Sequence, residues 1–495
     1  MNNTNGSITR RQLLMGSAAL GGLAVLGSPR LSIAQAAAAA SGTGAAPLDE
    51  LAGLLRGSLI TPASDDYDDA RKLWNGMIDK RPAAIARCTG AADVIDVVNY
   101  ARNNKLAVTV RGGGHNVAGK ALRDGAITID LGRMHGIWVD AKEKRARVQG
   151  GARWGAFDRE TLAQGLVTTG GTVSSTGVGG LTLGGGLGWL MRKHGLSCDN
   201  VVSADIVTAD GRLLAVNESE HDDLYWAIRG GGGNFGVVTS FEFRLHDLQP
   251  IYGGMALYPE SSLQDLLHFF RDYTASAPDS VTAMAGVLIG PPGTPVEGQN
   301  AGWIAVCHSG PASDGERLVR PIKNFGPPAA DFIGPSSYAA IQSLFEGAAA
   351  PGFRNYWRSN FMKDLSDDAI DTIIARSDEL PPPGTLILIE HLGGAVSRVG
   401  EQETAFANRG AQYNVSVLSS WVESSEDKRN IAWTRSFGDE LRSFATGGAY
   451  VNYMASDESA ASVRGAYEAN FQRLVAVKRK YDPTNFFSGN QNIAP

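Results

Sequence analysis

The sequence predicts an α+β protein of two domains, and three observations carry that expectation. The chain has 495 residues, more than one hydrophobic core ordinarily serves. Glycine accounts for 61 residues, well above its usual share of about 7%, and is concentrated between Gly112 and Gly236. From about Ile251 glycine thins out, and long amphipathic helical patterns alternate with strand patterns.

In chain order, the first 36 residues read as a processing segment. "TRRQLLMGSAALGGLAVLG" sets Arg10 and Arg11 before a moderately apolar run, and Ala34-Gln35-Ala36 offers small residues for cleavage. This is the pattern of a twin-arginine signal, so the export machinery is an expected partner and the mature chain an exported one, periplasmic or extracellular. The apolar run is short and weak for a membrane span and no second one follows, so stable membrane insertion of the mature chain is not expected. A polar segment, 37–80, leads into the first domain.

"DVIDVVNYARNN", Asp93 to Asn104, has the spacing of a capped amphipathic helix and feeds the strand "LAVTV". Strands follow at Ala126–Leu131 and Ala146–Gly151, then a helix over Trp154–Gln164. Thr169 to Gly195 is too rich in glycine for a stable isolated helix, at about 1 kcal/mol per glycine relative to alanine. Apolar residues such as Val173, Leu181 and Trp189 interleave it, unlike a flexible linker. Asp199–Leu214 reads as a hairpin turning at Asp210-Gly211. Leu224–Leu245 places a second glycine loop between a helix and a strand. Beyond Ile251, helices are expected at Ser261–Tyr273 and Asp367–Leu380, and strands at Thr385–Glu390 and Gln412–Trp421. A last helix ends at Asp482-Pro483.

Composition narrows the chemistry. With 45 basic and 51 acidic residues and no block of like charge, the surface does not suggest nucleic acid or anionic lipid. Cys88, Cys198 and Cys307 are too few and too widely spaced for a disulfide framework or a zinc site. The eight histidines lack metal-binding spacing, so no metal is expected.

Gly114, Gly119 and Lys120 fit the G-x-x-x-x-G-K spacing of a nucleoside-triphosphate loop. The next residue, which should offer magnesium a hydroxyl, is Ala121, and the chain turns at Asp124-Gly125 into a strand where that loop would open a helix. Both features argue against a triphosphate enzyme. The loop still asks for a ligand approached closely by backbone.

The ordered set "RGGGHN", "GVGGLTLGGGLGWLMRKHGLSCDNV", "WAIRGGGGNFGVV", "YVNY" and "YDPTNFF" resembles the berberine bridge enzyme-like FAD-linked oxidases, from about Arg81 to the C-terminus. The resemblance implies the fold of the p-cresol methylhydroxylase and vanillyl-alcohol oxidase group. In it, a two-lobed FAD-binding domain (81–250) is interrupted by a substrate domain of antiparallel sheet plus helices (251–445), and a C-terminal segment (446–495) returns to the FAD domain. It further implies FAD as cofactor, with Arg111, Gly112, Gly113, Gly114, His115 and Asn116 around it. A second loop would add Gly170, Thr172, Ser175, Gly177, Gly179, Gly180, Gly185 and Gly186, and the later elements Val237, Asn452 and Asn490. His115 matches the histidine that such proteins bond to the flavin 8α-methyl. Doubly linked members carry a cysteine where Val173 stands, so attachment through His115 only is implied, with Cys198 a packing residue.

Tyr450 and Tyr453 match the segment that faces the flavin, with Tyr450 the first choice of base. A phenol is a weak base near neutrality unless a neighbour lowers its pKa. Arg358 resembles a basic residue suited to that task, and Tyr356 or Trp357 could contact substrate. Some alkaloid-oxidising relatives place a carboxylate near the position of Ser416, and serine cannot replace it. The activity implied is therefore oxidation of a small alcohol, sugar, amine or phenolic natural product, with O2 as acceptor and hydrogen peroxide as product. A dehydrogenase with another acceptor and a flavin-binding protein without catalysis stay open at this stage.

Overall fold

A computed structural model describes residues 48–381 and 384–495. The twin-arginine segment, including Arg10, Arg11 and Ala34–Ala36, lies outside the described residues. Among these, no helix is long and apolar enough to cross a membrane.

The glycine-rich part forms two sheets. The first has β1 (Ser58–Ile60), β2 (Ala84–Arg87), β3 (Val108–Arg111) and β4 (Ile127–Asp130) in the order β1-β2-β4-β3. Strands β2, β3 and β4 are parallel, which requires crossover connections. The helix Ala91–Asn103 provides one, and its Val94, Val97, Val98 and Ala101 pack with Ile127 and Ile129. Although the segment before residue 81 was expected to precede this domain, its β1 is part of the sheet.

The second sheet is antiparallel: β5 (Ile137–Asp140), β6 (Arg145–Gln149), β8 (Val201–Val207), β9 (Leu213–Asn217) and β10 (Val237–Arg244), in the order β5-β6-β10-β8-β9. The expected hairpin joins β8 to β9, with Gly211 at φ +81° in the turn. Two short strands, β7 (Leu166–Val167) and β11 (His246–Asp247), pair beside it. The stretch between β7 and β8 is mostly loop, as its glycines predict. It nonetheless contains two short helices, Val178–Leu183 and Met191–His194, held by the anchors that distinguish it from a linker: Val178 is wholly buried and Trp189 and Met191 nearly so.

All strands of the third sheet lie between Ile251 and Trp421. They are β12 (Ile251–Pro259), β13 (Val281–Ile289), β14 (Asn300–Ser309), β15 (Ala330–Asp331), β16 (Gly334–Ser336), β17 (Arg354–Met362), β18 (Leu386–His391) and β19 (Tyr413–Trp421). The order is β15-β12-β14-β13-β18-β19-β17, with β16 also on β12. Helices Leu263–Ala275, Asp367–Ser377 and Asp427–Leu441 cover one face, packing on Ala285, Ile387, Ile389, Val415 and Val417. Leu388 and Met284 point to the other face, toward Trp189 and Leu190 of the glycine-rich part. Successive residues alternate between the faces, so each strand sends every second side chain toward the first two sheets.

The C-terminus returns to those sheets. In the helix Phe471–Tyr481, Leu474, Val475 and Val477 join the core of the second sheet, and Phe487 joins that of the first. Lys478 and Asp482 form a wholly buried pair at 2.6 Å. The Lys478 ammonium also donates to the carbonyls of Asn234 and Phe487, and Asp482 accepts the N–H groups of Phe486 and Phe487. A buried charge pair is tolerated only when its remaining bonding capacity is filled in this way.

Candidate active site

A cleft opens where the three sheets meet. Its long wall is backbone: Gly112–Gly114 after β3, Gly171 to Gly180 before and within the short helix Val178–Leu183, and Gly232–Gly236 before β10, with Asn490 and Gln491 of the tail beside them. Glycine is needed here for close approach. A Cβ on Gly113 would lie 2.5 Å from the Cα of Gly177, and one on Gly179 would lie 2.8 Å from the Gly150 carbonyl oxygen. The loops therefore form a narrow cradle of peptide groups.

The other end of the cleft is aromatic. Trp74 stacks on His115 with ring centres 4.2 Å apart and planes 17° from parallel. Trp74 meets Trp357 edge-on at 5.4 Å, Trp357 meets Tyr453 at 5.3 Å, and Tyr453 meets Tyr450 at 4.8 Å. Burial, with a smaller contribution from Arg153, pushes the His115 imidazole down to about 4, so it is neutral near pH 7. Its Nε2 is buried without a hydrogen-bond partner.

Tyr450 is held from two sides. Its N–H donates to the Ser359 hydroxyl at 3.0 Å. Its phenol oxygen accepts from Asn452 Nδ2 at 2.8 Å and from the backbone N–H groups of Gly186 and Leu187 at 3.1 and 3.2 Å. Three donors converging on one phenol oxygen suit its anionic form. Burial acts in the opposite direction and prevails, raising the hydroxyl above its ordinary value; a nearby carboxyl, Glu390, adds to the rise.

Glu390 was not anticipated from the sequence. It stands on β18 on the same face as Leu388, is 1% exposed, and accepts from Asn414 Nδ2 at 2.7 Å. Its other oxygen, Oε1, is buried without a hydrogen-bond partner, and the carboxyl adds to the rise that burial imposes on the Tyr453 phenol. Burial pushes the Glu390 carboxyl up to about 7, against the opposing hydrogen bond of Asn414. The strand "LILIEH" carried the available signal, one acid in an apolar run. Glu390 stands on the strand adjacent to Ser416, since Ser416 and Asn414 share a face of β19 and Asn414 pairs with Glu390 in register.

The chain matches a family model described as an FAD binding domain over residues 82–217 and one described as berberine and berberine like over 449–494. It is 30% identical over 452 residues to an FAD-linked oxidoreductase of Dictyostelium discoideum, covering 90% of this chain and 97% of that one. The chain is an FAD-linked oxidoreductase of the berberine bridge enzyme-like family. It is also 31% identical over 455 residues to (R)-6-hydroxynicotine oxidase of Paenarthrobacter nicotinovorans, covering 89% and 97% of the two chains. The crystal structure of 6-hydroxy-D-nicotine oxidase from Arthrobacter nicotinovorans superposes with a TM-score of 0.78 at 28% identity, covering 89% and 98%. A xylooligosaccharide oxidase of Myceliophthora thermophila shares the fold, with a TM-score of 0.80 at 22% identity over 91% and 99%.

The cleft of this oxidoreductase fits FAD: the glycine cradle suits a pyrophosphate, and the unpartnered His115 Nε2 lies at its aromatic end. Of the expected cofactor residues, Gly112, Gly113, Gly114, His115, Asn116, Thr172, Gly177, Gly179, Gly180, Val237, Asn452 and Asn490 line it. Arg111, Gly170, Ser175, Gly185 and Gly186 stand one layer back. Arg111 pairs with Asp130 at 2.5 Å, Gly170 lies against the Trp154 ring, and Gly186 holds the Tyr450 oxygen. Val173, at the position of a second linking cysteine, lines the cleft, and all three cysteines are free and buried.

Tyr450, Tyr453 and Trp357 line the cleft as expected, whereas Arg358 and Tyr356 do not. Alternation along β17 sends Trp357 and Ser359 inward and their neighbours outward. Arg358 packs on Gly438 and pairs with Glu458 at 2.5 Å, and the Tyr356 hydroxyl donates to Asp457 at 3.0 Å. The expected means of lowering the Tyr450 pKa is therefore absent from that site. The triphosphate alternative is also set aside, since the chain after Lys120 turns into β4 and opens no helix.

Proposed function

We propose that the protein is an oxidase that removes a hydride from a small alcohol or sugar hydroxyl carbon, with FAD bonded through His115 only and O2 as electron acceptor. The observation that carries this reading is the continuous aromatic wall from His115 to Tyr450, backed by the Glu390 carboxyl at about 7. The flavin, when bound, supplies the hydride acceptor and the route to oxygen.

The protein's residues supply position and proton transfer. Trp357 and Tyr453 offer flat apolar surface to a ring or chain beside the reacting carbon. The Tyr450 and Tyr453 hydroxyls meet the substrate hydroxyl, and Glu390, reached through Tyr453, holds the proton that leaves it. A carboxyl near 7 is well matched to proton transfer at neutral pH. Among the described residues no carboxylate lines the cleft wall, which favours a neutral hydroxyl over a charged amine. The neutral His115, with one nitrogen unpaired and no cysteine at position 173, supports a single link.

Export through the twin-arginine route belongs to the same proposal, because that route carries folded proteins with cofactor in place. Anaerobic bleaching of the yellow protein by a panel of sugars, alcohols, phenols and amines, followed by peroxide detection on admitting air, tests the reading. Bleaching by hydroxyl compounds with stoichiometric peroxide is the expected result. Bleaching without peroxide would make it a dehydrogenase.

A further inference from the structure

The G-x-x-x-x-G-K spacing left one residue without a task. Lys120 lies on the wall of the cofactor cleft and, among the described residues, is the only lysine or arginine there, while no described aspartate or glutamate lines that wall. The turn Asn116–Gly119 places it. Gly119, at φ +65° and tight against Ile78, donates to the Asn116 carbonyl at 3.0 Å, and the Lys120 N–H donates to Asn116 Oδ1 at 3.3 Å. This sets Lys120 on the same cleft as the glycine loops. Its ammonium has no hydrogen bond or ion pair among the described residues, and the side chain is only partly exposed.

A partly desolvated, unpaired cation in a cleft free of carboxylates is unfavourable by itself. The wall beside it is glycine-rich backbone, and peptide N–H groups in such loops attract anions. We propose that Lys120 is the counter-charge for the pyrophosphate of FAD, the single fixed cation that complements the peptide N–H groups of Gly112–Asn116 and Gly177–Gly180. The lysine thus has the electrostatic task of a triphosphate-loop lysine, without magnesium and in an unrelated fold. Burial lowers its pKa, and a bound phosphate anion would restore it. The inference deepens the cofactor reading, and it does not depend on whether His115 forms its bond.

The test uses the full chain with H115A, so that cofactor exchanges freely, with and without K120M and K120R. FAD and riboflavin, which lacks the pyrophosphate, are titrated by fluorescence quenching at low and high salt. K120M should weaken FAD binding about ten- to a hundred-fold, the effect of losing one charge-assisted hydrogen bond. It should leave riboflavin within about twofold and flatten the salt dependence for FAD, while K120R stays near the parent. Unchanged FAD affinity in K120M would overturn the proposal, including the case where only the KM of an anionic substrate rises. Equal losses for FAD and riboflavin would overturn it too, since they would assign Lys120 to packing.

Discussion

Glu390 on β18 and Asn414 on β19 face each other in register, with Asn414 Nδ2 donating to Glu390 Oε2 at 2.7 Å. The amide fixes one carboxyl oxygen and leaves the other, Oε1, without a hydrogen-bond partner, free for the proton transfer proposed above. Because burial raises this carboxyl to about 7, it is charged above that pH and neutral below. The base form is the charged one, so turnover should rise with pH through about 7. E390Q should lower kcat by about a hundred-fold or more and remove that limb of the profile, with flavin content unchanged.

Y450F leaves the N–H groups of Gly186 and Leu187 without their acceptor in a buried place. A fall in stability of about 1–3 kcal/mol is expected from the unsatisfied donors, read as a lower melting temperature. Reduction of the flavin by substrate under anaerobic conditions should slow more than binding weakens.

Arg358 gives the opposite outcome. Its side chain is 9% exposed and that of its partner Glu458 is 8% exposed, so R358M strands a buried carboxylate at a cost of about 3–5 kcal/mol. Thermal stability should fall markedly while the rate of flavin reduction in the folded fraction stays within a few-fold. A loss of rate as large as that of Y450F would return Arg358 to the chemistry.

His194 and His246 stack with ring centres 3.8 Å apart, and His246 Nε2 bonds Asn200 Oδ1 at 2.8 Å. Burial, and then the neighbouring ring and Lys193, push His194 down to about 3. Burial, then Arg244 and Lys193, push His246 to about 4, with Lys144 adding to this and Asp247 opposing it. Above about pH 6.5 both are neutral in folded and unfolded chains. As pH falls from there to about 4 the unfolded chain takes up protons that the folded one refuses, so stability declines. Melting curves between pH 7.5 and 4.5 should show this, and H194Q/H246Q should flatten the decline.

Local signals located much of the structure. The helix at Ala91–Asn103 and the β8–β9 hairpin follow from apolar spacing and an Asp-Gly turn. The helix ending at Tyr481 is marked by the proline two residues on. Strands β12, β13, β14 and β17 have no clean alternation, because side chains on both faces are buried, and the pattern of polar and apolar residues that marks a strand is lost. The glycine loops were legible because close backbone approach leaves a compositional trace, whereas His115 was singled out by the resemblance of "RGGGHN" to the family motif. Glu390 and the outward turn of Arg358 were not, since both depend on which face of a strand meets the cleft, and register between distant strands decides that. Trp74 was hidden for a similar reason: only the folded chain brings it from before β2 onto His115.

The most direct test of the account is acid precipitation of the purified protein, followed by mass spectrometry of the peptide that carries His115. The yellow colour should stay with the pellet and the flavin mass should sit on His115 alone. Colour released to the supernatant with an unmodified His115 peptide, or flavin mass on a cysteine, would contradict it.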